Sequence, residues 1–159
     1  MQTLIIDYGL GNIGSLCNAL SSLNIDWQVA SNFEEAANVD IRNLILPGVG
    51  SFDAGMNGLK ERNFHNFLKE KISKGTPCLG ICLGMQLLLS SSEESKTSQQ
   101  GLNLIEGKVI SLPDISLPIP HIGWSSTILS NKKLLDKENL KSLSSGLISD
   151  FYYIHSYVS

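Results

Sequence analysis

The chain has 159 residues, of which 42% are hydrophobic and 17% charged, and it carries a net charge of -3. A chain of this length buries roughly two thirds of the surface its unfolded form exposes, enough for one globular domain with a real core. The slight acidic balance, with no clustering of Lys or Arg, argues against nucleic acid or an anionic membrane as a direct partner.

Met1 runs straight into Leu4-Ile5-Ile6 without a basic leader, and no apolar stretch approaches the ~20 residues that span a bilayer, so a cytoplasmic location is expected. The three cysteines, Cys17, Cys78 and Cys82, cannot all pair and lack the doubled Cys-x-x-Cys spacing of a zinc site. No metal and no other cofactor is expected, and at least one thiol stays free.

The run Thr3 to Asp7 reads as a strand, and the glycine-rich turn at Gly9 and Gly11 leads into Ile13, Leu16, Cys17 and Leu20 at helical spacing. Residues 26–30 and 43–46 read as strands, 52–59 and 64–72 as helices, 77–81 as another strand and 85–89 as the helix after it. Strands alternating with helices imply an α/β fold with a parallel sheet, and near-continuous apolar runs such as Leu44-Ile45-Leu46 imply burial on both faces. The polar stretch 90–98 is expected to be an exposed loop. Beyond Gly101 come short β-like pieces at 108–110, 127–129 and 151–154, so this half should be more antiparallel. The last strand-like run stops at Ser159 with no turn or closing helix, and the sequence is therefore expected to belong to a longer natural chain.

Chemistry concentrates at Gly80-Ile81-Cys82-Leu83-Gly84. In a nucleophile elbow the reactive side chain sits on a strained strand-to-helix turn, and glycines two residues to either side let the backbone double back. The first helical N–H groups then favour both a thiolate and a developing oxyanion. Cys82 is the expected nucleophile, whereas Cys78, earlier on the strand, and Cys17, on a helical stripe, are expected in the core. Upstream, Pro47-Gly48-Val49-Gly50-Ser51 leaves a buried strand in a glycine-rich turn, which suits an oxyanion hole.

Together with Asp7-Tyr8-Gly9-Leu10-Gly11-Asn12, Ser92-Glu93-Glu94, His121-Ile122-Gly123-Trp124 and His155-Ser156-Tyr157, these motifs resemble the class I glutamine amidotransferases, and within them the glutaminase subunits of imidazole glycerol phosphate synthase. The resemblance covers essentially the whole chain. It implies a flavodoxin-like, mostly parallel sheet flanked by helices, with residues 1–159 forming a glutamine amidotransferase type-1 domain that lacks its C-terminal portion.

The same resemblance implies that Cys82 attacks the side-chain amide of glutamine, with amides of Val49, Gly50 and Leu83 holding the oxyanion. Gly50, Gln86, Glu94, Ser156 and Tyr157 would bind glutamine. Asn12, His121 and Trp124 would lie near a separate (β/α)-barrel cyclase subunit, which takes the ammonia to make imidazole glycerol phosphate for histidine biosynthesis.

Two departures stand against the family pattern. The family's His-x-Glu pair, its base and orienting carboxylate, is absent from these 159 residues, since His65, His121 and His155 are followed two positions on by Phe67, Gly123 and Tyr157. Acid–base help worth about 10²–10⁴-fold is then missing, and this polypeptide is expected to hydrolyse glutamine negligibly. Ser125 also stands where the family usually has Asn.

Other readings are a related amidotransferase or cysteine hydrolase with another acceptor, and a catalytically dead subunit that only docks on a cyclase. A dinucleotide site at Gly9-Leu10-Gly11-Asn12-Ile13-Gly14 is a further one, although the second strand ends at Ala30-Ser31-Asn32 without the acid that would hold a ribose.

Overall fold

The computed structural model describes residues 1–113, 119–128 and 148–159. The chain divides into two compact units, residues 1–111 with Ser159 and residues 112–158. In the first, the β-branched and aliphatic runs form the strands β1 (Gln2–Ile6), β2 (Trp27–Ala30), β3 (Ile41–Leu46) and β4 (Cys78–Gly80). They make one parallel sheet in the order β2-β1-β3-β4.

Both faces of the central strands are covered, which is why Leu4, Ile5, Ile6, Leu44, Ile45 and Leu46 are all buried. Alternation sends Ile5 and Ile45 to one face, where they meet Leu20 of α1 (Ile13–Ser22), with Leu16, Cys17 and Val29 packed around them. The helical stripe read from the sequence is thus the core face of α1, and Cys17 lies on it half-buried. Asn12 starts the helix, its side chain accepting the Ser15 N–H at 3.2 Å.

The remaining helices of this unit are α2 (Phe33–Ala37), α3 (Phe52–Glu61), α4 (Phe64–Ser73) and α5 (Leu83–Leu87). Phe52, Met56 and Leu59 of α3 are buried, as are Phe64, Phe67 and Leu68 of α4. Gly55 lets α3 lie against α5, because a Cβ there would come within 2.9 Å of both Leu87 methyl groups.

Three expectations change. The five-residue α2 was not foreseen from the pattern. The helix after Cys82 spans 83–87 rather than 85–89, because the carbonyls of Leu87, Leu88 and Leu89 accept the N–H groups of Leu102, Leu104 and Asn103 in place of a continuing helix. The segment 90–98 is no free loop: it contains β5 (Ser91–Ser92), which pairs in parallel with β6 (Lys108–Ser111), and Glu94 and Ser95 are half-buried.

In the second unit β7 (His121–Ile128) and β8 (Ile148–His155) pair antiparallel with His121 opposite His155, followed by the short β9 (Tyr157–Val158). The antiparallel character expected of this half is present. The strand expected at 127–129 begins earlier, at His121, and Leu129 lies outside the described residues. Among the described residues no helix is long and apolar enough to cross a membrane.

Candidate active site

The geometry centres on the step from β4 to α5. Cys82 has φ +54° and ψ -117°, a backbone conformation that a residue with a Cβ adopts only where its surroundings impose it, at about 1–3 kcal/mol. The hydrogen bonds that impose it are visible. Ile81 N–H donates to Leu46 O at 3.0 Å, which fastens the strand end to β3, while Met85 N–H and Gly84 N–H turn back to Cys82 O and Ile81 O, each at 3.0 Å.

The two flanking glycines are required sterically. A Cβ on Gly80 would lie 2.5 Å from Met85 Cα, and one on Gly84 would collide with the Leu46 carbonyl oxygen. The helix therefore sits directly on the strand ends, and the bend between them leaves the Cys82 side chain exposed. This is the strained strand-to-helix turn expected from the sequence. With only five residues in α5, the local N–H groups of its first turn, rather than a long helix dipole, provide the positive field at the sulfur.

Because β3 and β4 are parallel neighbours, paired Leu46 to Gly80, the turn after β3 emerges beside the elbow. A Cβ on Gly48 would come within 2.9 Å of Gly84 N and 3.0 Å of Leu83 Cβ. Two residues on, Gly50 has φ +105° and open space around it, and Val49 is exposed. Among the described residues, no acceptor takes the N–H of Val49, Gly50 or Leu83. Gln86, one helical turn beyond Cys82, is half-buried and donates its N–H to Cys82 O at 3.2 Å. Glu94 reaches the same neighbourhood from the β5 side, and its Oε2 accepts the Phe52 N–H at 2.8 Å, capping α3 where the N-cap Ser51 offers no side-chain bond.

Tyr8 was part of a sequence motif but was not singled out as a site residue. It is buried, and its hydroxyl, which has no hydrogen-bond partner among the described residues, occupies the space a Cβ on Gly48 would need. Burial, and then the negative charge of Cys82, push the Tyr8 hydroxyl well above its ordinary pKa. The signal available in the sequence was a large polar-tipped side chain immediately after a buried strand. Cys78, by contrast, is half-buried rather than in the closed core, and burial pushes its thiol up to about 11.

The Gly9 turn is filled by the protein itself. Asp7 Oδ1 accepts Gly9 N–H at 3.0 Å, and the Arg62 guanidinium lies 3.1 Å from where a Gly9 Cβ would be, while donating to Ser31 O at 3.0 Å. The expected interface residue of this unit, Asn12, is engaged as the α1 cap.

In the second unit, Trp124 is 73% exposed and stacks edge-on against Tyr152. The Tyr157 carbonyl can only accept, so His155 Nδ1 donates to it at 3.2 Å; His155 Nε2 is hydrogen-bonded to His121 Nδ1 at 3.2 Å, and His121 Nε2 to Ser125 Oγ at 3.1 Å. The Ser156 carbonyl accepts Leu112 N–H at 2.9 Å, and Tyr157 is half-buried. His65 is on α4, its Nδ1 paired with Asn66 Oδ1 at 3.1 Å. Among the described residues no group of three or more His, Cys, Asp or Glu side chains is placed to hold a metal ion.

The family model of glutamine amidotransferase class-I matches residues 4–158. The imidazole glycerol phosphate synthase subunit HisH of Aquifex aeolicus (strain VF5) is 43% identical over an alignment that covers 99% of this chain and 72% of that protein. The subunit of the same name from Geobacillus sp. (strain WCH70) is 38% identical over 96% of this chain and 70% of its own, and that from Bacillus cereus (strain B4264) is 44% identical over 96% and 68%. A solved structure, a crystal structure of glutamine amidotransferase, superposes with a TM-score of 0.68 over 98% of this chain and 72% of that one; at 16% identity it speaks for the fold alone. The chain belongs to the class I glutamine amidotransferase family.

Proposed function

We propose that the chain is the glutaminase subunit of an imidazole glycerol phosphate synthase, working in the cytoplasm in histidine biosynthesis. Cys82 attacks the side-chain amide carbon of glutamine, and the N–H groups of Val49, Gly50 and Leu83 receive the oxyanion of the tetrahedral intermediate. When that intermediate collapses, the C–N bond breaks, the amide nitrogen takes up the proton lost by the thiol and leaves as ammonia, and a γ-glutamyl thioester remains; water then cleaves the thioester to glutamate and restores the thiol. Gly50, Gln86 and Glu94 hold the substrate. The ammonia passes to a (β/α)-barrel cyclase subunit.

The observation that carries this reading is the backbone of Cys82, held at φ +54° between two glycines that admit no Cβ. A buried structural cysteine requires no such strain. The His-x-Glu pair of the family is absent from these 159 residues, so this polypeptide hydrolyses glutamine negligibly.

A diazoketone analogue of glutamine, followed by peptide mass mapping, tests the nucleophile: the label is expected on Cys82 and not on Cys17 or Cys78. Labelling spread over all three thiols would overturn the assignment. Glutamate release, assayed with the cyclase subunit added, tests the second statement, and robust turnover by the 159-residue chain would refute it.

A further inference from the structure

A continuous run of hydrogen bonds joins the first turn of α3 to the segment after β5, two places 42 residues apart in sequence. Asp53 Oδ1 accepts from Ser95 Oγ at 2.5 Å, and its Oδ2 accepts the Lys96 N–H at 3.1 Å. Ser95 Oγ, having donated its proton to Asp53, accepts the Gln99 N–H at 2.8 Å, and Gln99 Nε2 donates to Asn57 Oδ1 one turn further along α3 at 3.2 Å. On the other side, Glu93 Oε2 accepts the Ser111 N–H at 2.9 Å. Between these anchors lies Glu94, whose own N–H is fixed by Ser92 Oγ at 3.1 Å and whose carboxylate accepts the first N–H of α3. That helix begins directly after the Pro47–Ser51 turn.

A serine-rich segment of this composition has no apolar reason to lie on α3. Its order comes from the Asp53 carboxylate, which sits in the first turn of a ten-residue helix, where a negative charge is favoured, and satisfies two donors at once. We propose that Asp53 is a positioning residue for glutamine: by clamping Ser95 and Lys96 it holds the neighbouring Glu94 at the start of α3, ready to meet the substrate beside the turn that receives the oxyanion. The inference rests on the glutaminase reading and on Glu94 as part of the glutamine pocket. A long carboxylate side chain left free would lose rotamer freedom each time substrate bound, and a clamped one meets that cost on folding. The Ser95 hydroxyl also holds the Asp53 carboxyl below its ordinary pKa, so the clamp's acceptor stays ionised through neutral and mildly acidic pH.

The test compares two electrophiles on the full 159-residue chain: the diazoketone glutamine analogue, which needs the substrate pocket, and iodoacetamide, which needs only the thiol. In Asp53→Ala, labelling of Cys82 by the analogue is expected to fall about tenfold while the iodoacetamide rate stays within about twofold, and the amides of Phe52, Lys96 and Gln99 should exchange faster with solvent. Asp53→Asn, which keeps one acceptor oxygen, should recover part of the loss. Ser95→Ala gives a smaller fall in the same direction and replaces Asp53→Ala should that variant not fold.

A folded Asp53→Ala that reacts with the analogue like the parent overturns the proposal. So does equal slowing by both electrophiles, since Asp53 would then support the elbow and not the substrate. If the parent chain itself ignores the analogue, the glutaminase reading fails, and the exchange rates alone decide the clamp: faster exchange in Asp53→Ala upholds it, unchanged exchange removes it.

Discussion

Cys78 and Cys82 lie on one strand and the turn that follows it, and they differ in almost everything except the element sulfur. Cys78 is in regular β4, half-buried, with its thiol pushed up to about 11 by burial. Cys82 is exposed, on a backbone that only its neighbours make tenable. The reactivity proposed for Cys82 thus rests on the bend and not on the residue type. The sharpest way to break this comparison is to remove each thiol in turn. Cys82→Ala should abolish labelling by the glutamine analogue, while Cys78→Ala should leave it nearly unchanged. Comparable losses from the two variants would mean that the bend confers nothing.

The next largest effect probes the bend itself. Gly84→Ala would drive a methyl group into the Leu46 carbonyl oxygen, a backbone atom that cannot swing aside as a flexible side chain would. A loss of about 3 kcal/mol in urea-induced unfolding is expected, at the upper end for an overpacked site, together with slowed labelling of Cys82. A neutral result would show that α5 can lift off the strand ends and that Cys82 is not held in its strained conformation.

Much of this contrast was legible before any coordinates. Gly80 and Gly84 flanking Cys82 at a strand-to-helix junction announce a steric requirement that is local, and local requirements leave marks in a sequence. The aliphatic runs of β1 and β3 and the stripe Ile13, Leu16, Cys17, Leu20 were readable for the same reason. What escaped depends on contacts between distant residues. The end of α5 is decided by N–H groups of residues 102–105, and the order of the serine-rich segment by Asp53, 42 residues away. Nothing in the polarity of Ser90 to Ser98 distinguishes a clamped segment from a solvated one. The short α2 is an intermediate case. Asn32 and Glu35 form a reciprocal cap, with Glu35 N–H donating to Asn32 Oδ1 at 2.9 Å and Asn32 Nδ2 to Glu35 Oε1 at 3.0 Å, but five residues are too few for periodicity to register.

Alkaline pH separates the two thiols in a different way. The folded state holds the Cys78 proton up to about pH 11, whereas the unfolded chain releases it near the ordinary thiol value of about 8.5. A group whose pKa is raised on folding contributes stability that is complete below the unfolded value and is lost as pH rises through the folded one. Stability should therefore decline between about pH 8.5 and 11, and Cys78→Ala should flatten part of that decline when denaturant midpoints are compared across the range. Alkylation of Cys78 in the parent should stay slow until the top of the window. Rapid alkylation at pH 8 would erase the distinction from Cys82.

The smallest expected effect lies in the polar surroundings of the elbow. Tyr8 places a buried hydroxyl under Gly48, in the space that Gly48 shares with Leu83 Cβ and Gly84 N, and among the described residues nothing accepts its proton. A donor left unpaired away from water is a cost to the fold, so Tyr8→Phe, which keeps the ring lodged against Gly58, should raise stability by about 1 kcal/mol and leave Cys82 labelling intact. Melting temperature and the analogue-labelling rate, measured on the same preparation, check both halves. A loss of stability with slower labelling would mean instead that the hydroxyl supports the elbow, and the two cysteines would then differ in the polar groups around them as well as in backbone conformation. A gain in stability leaves the strained turn and its glycines as the sufficient cause of that difference.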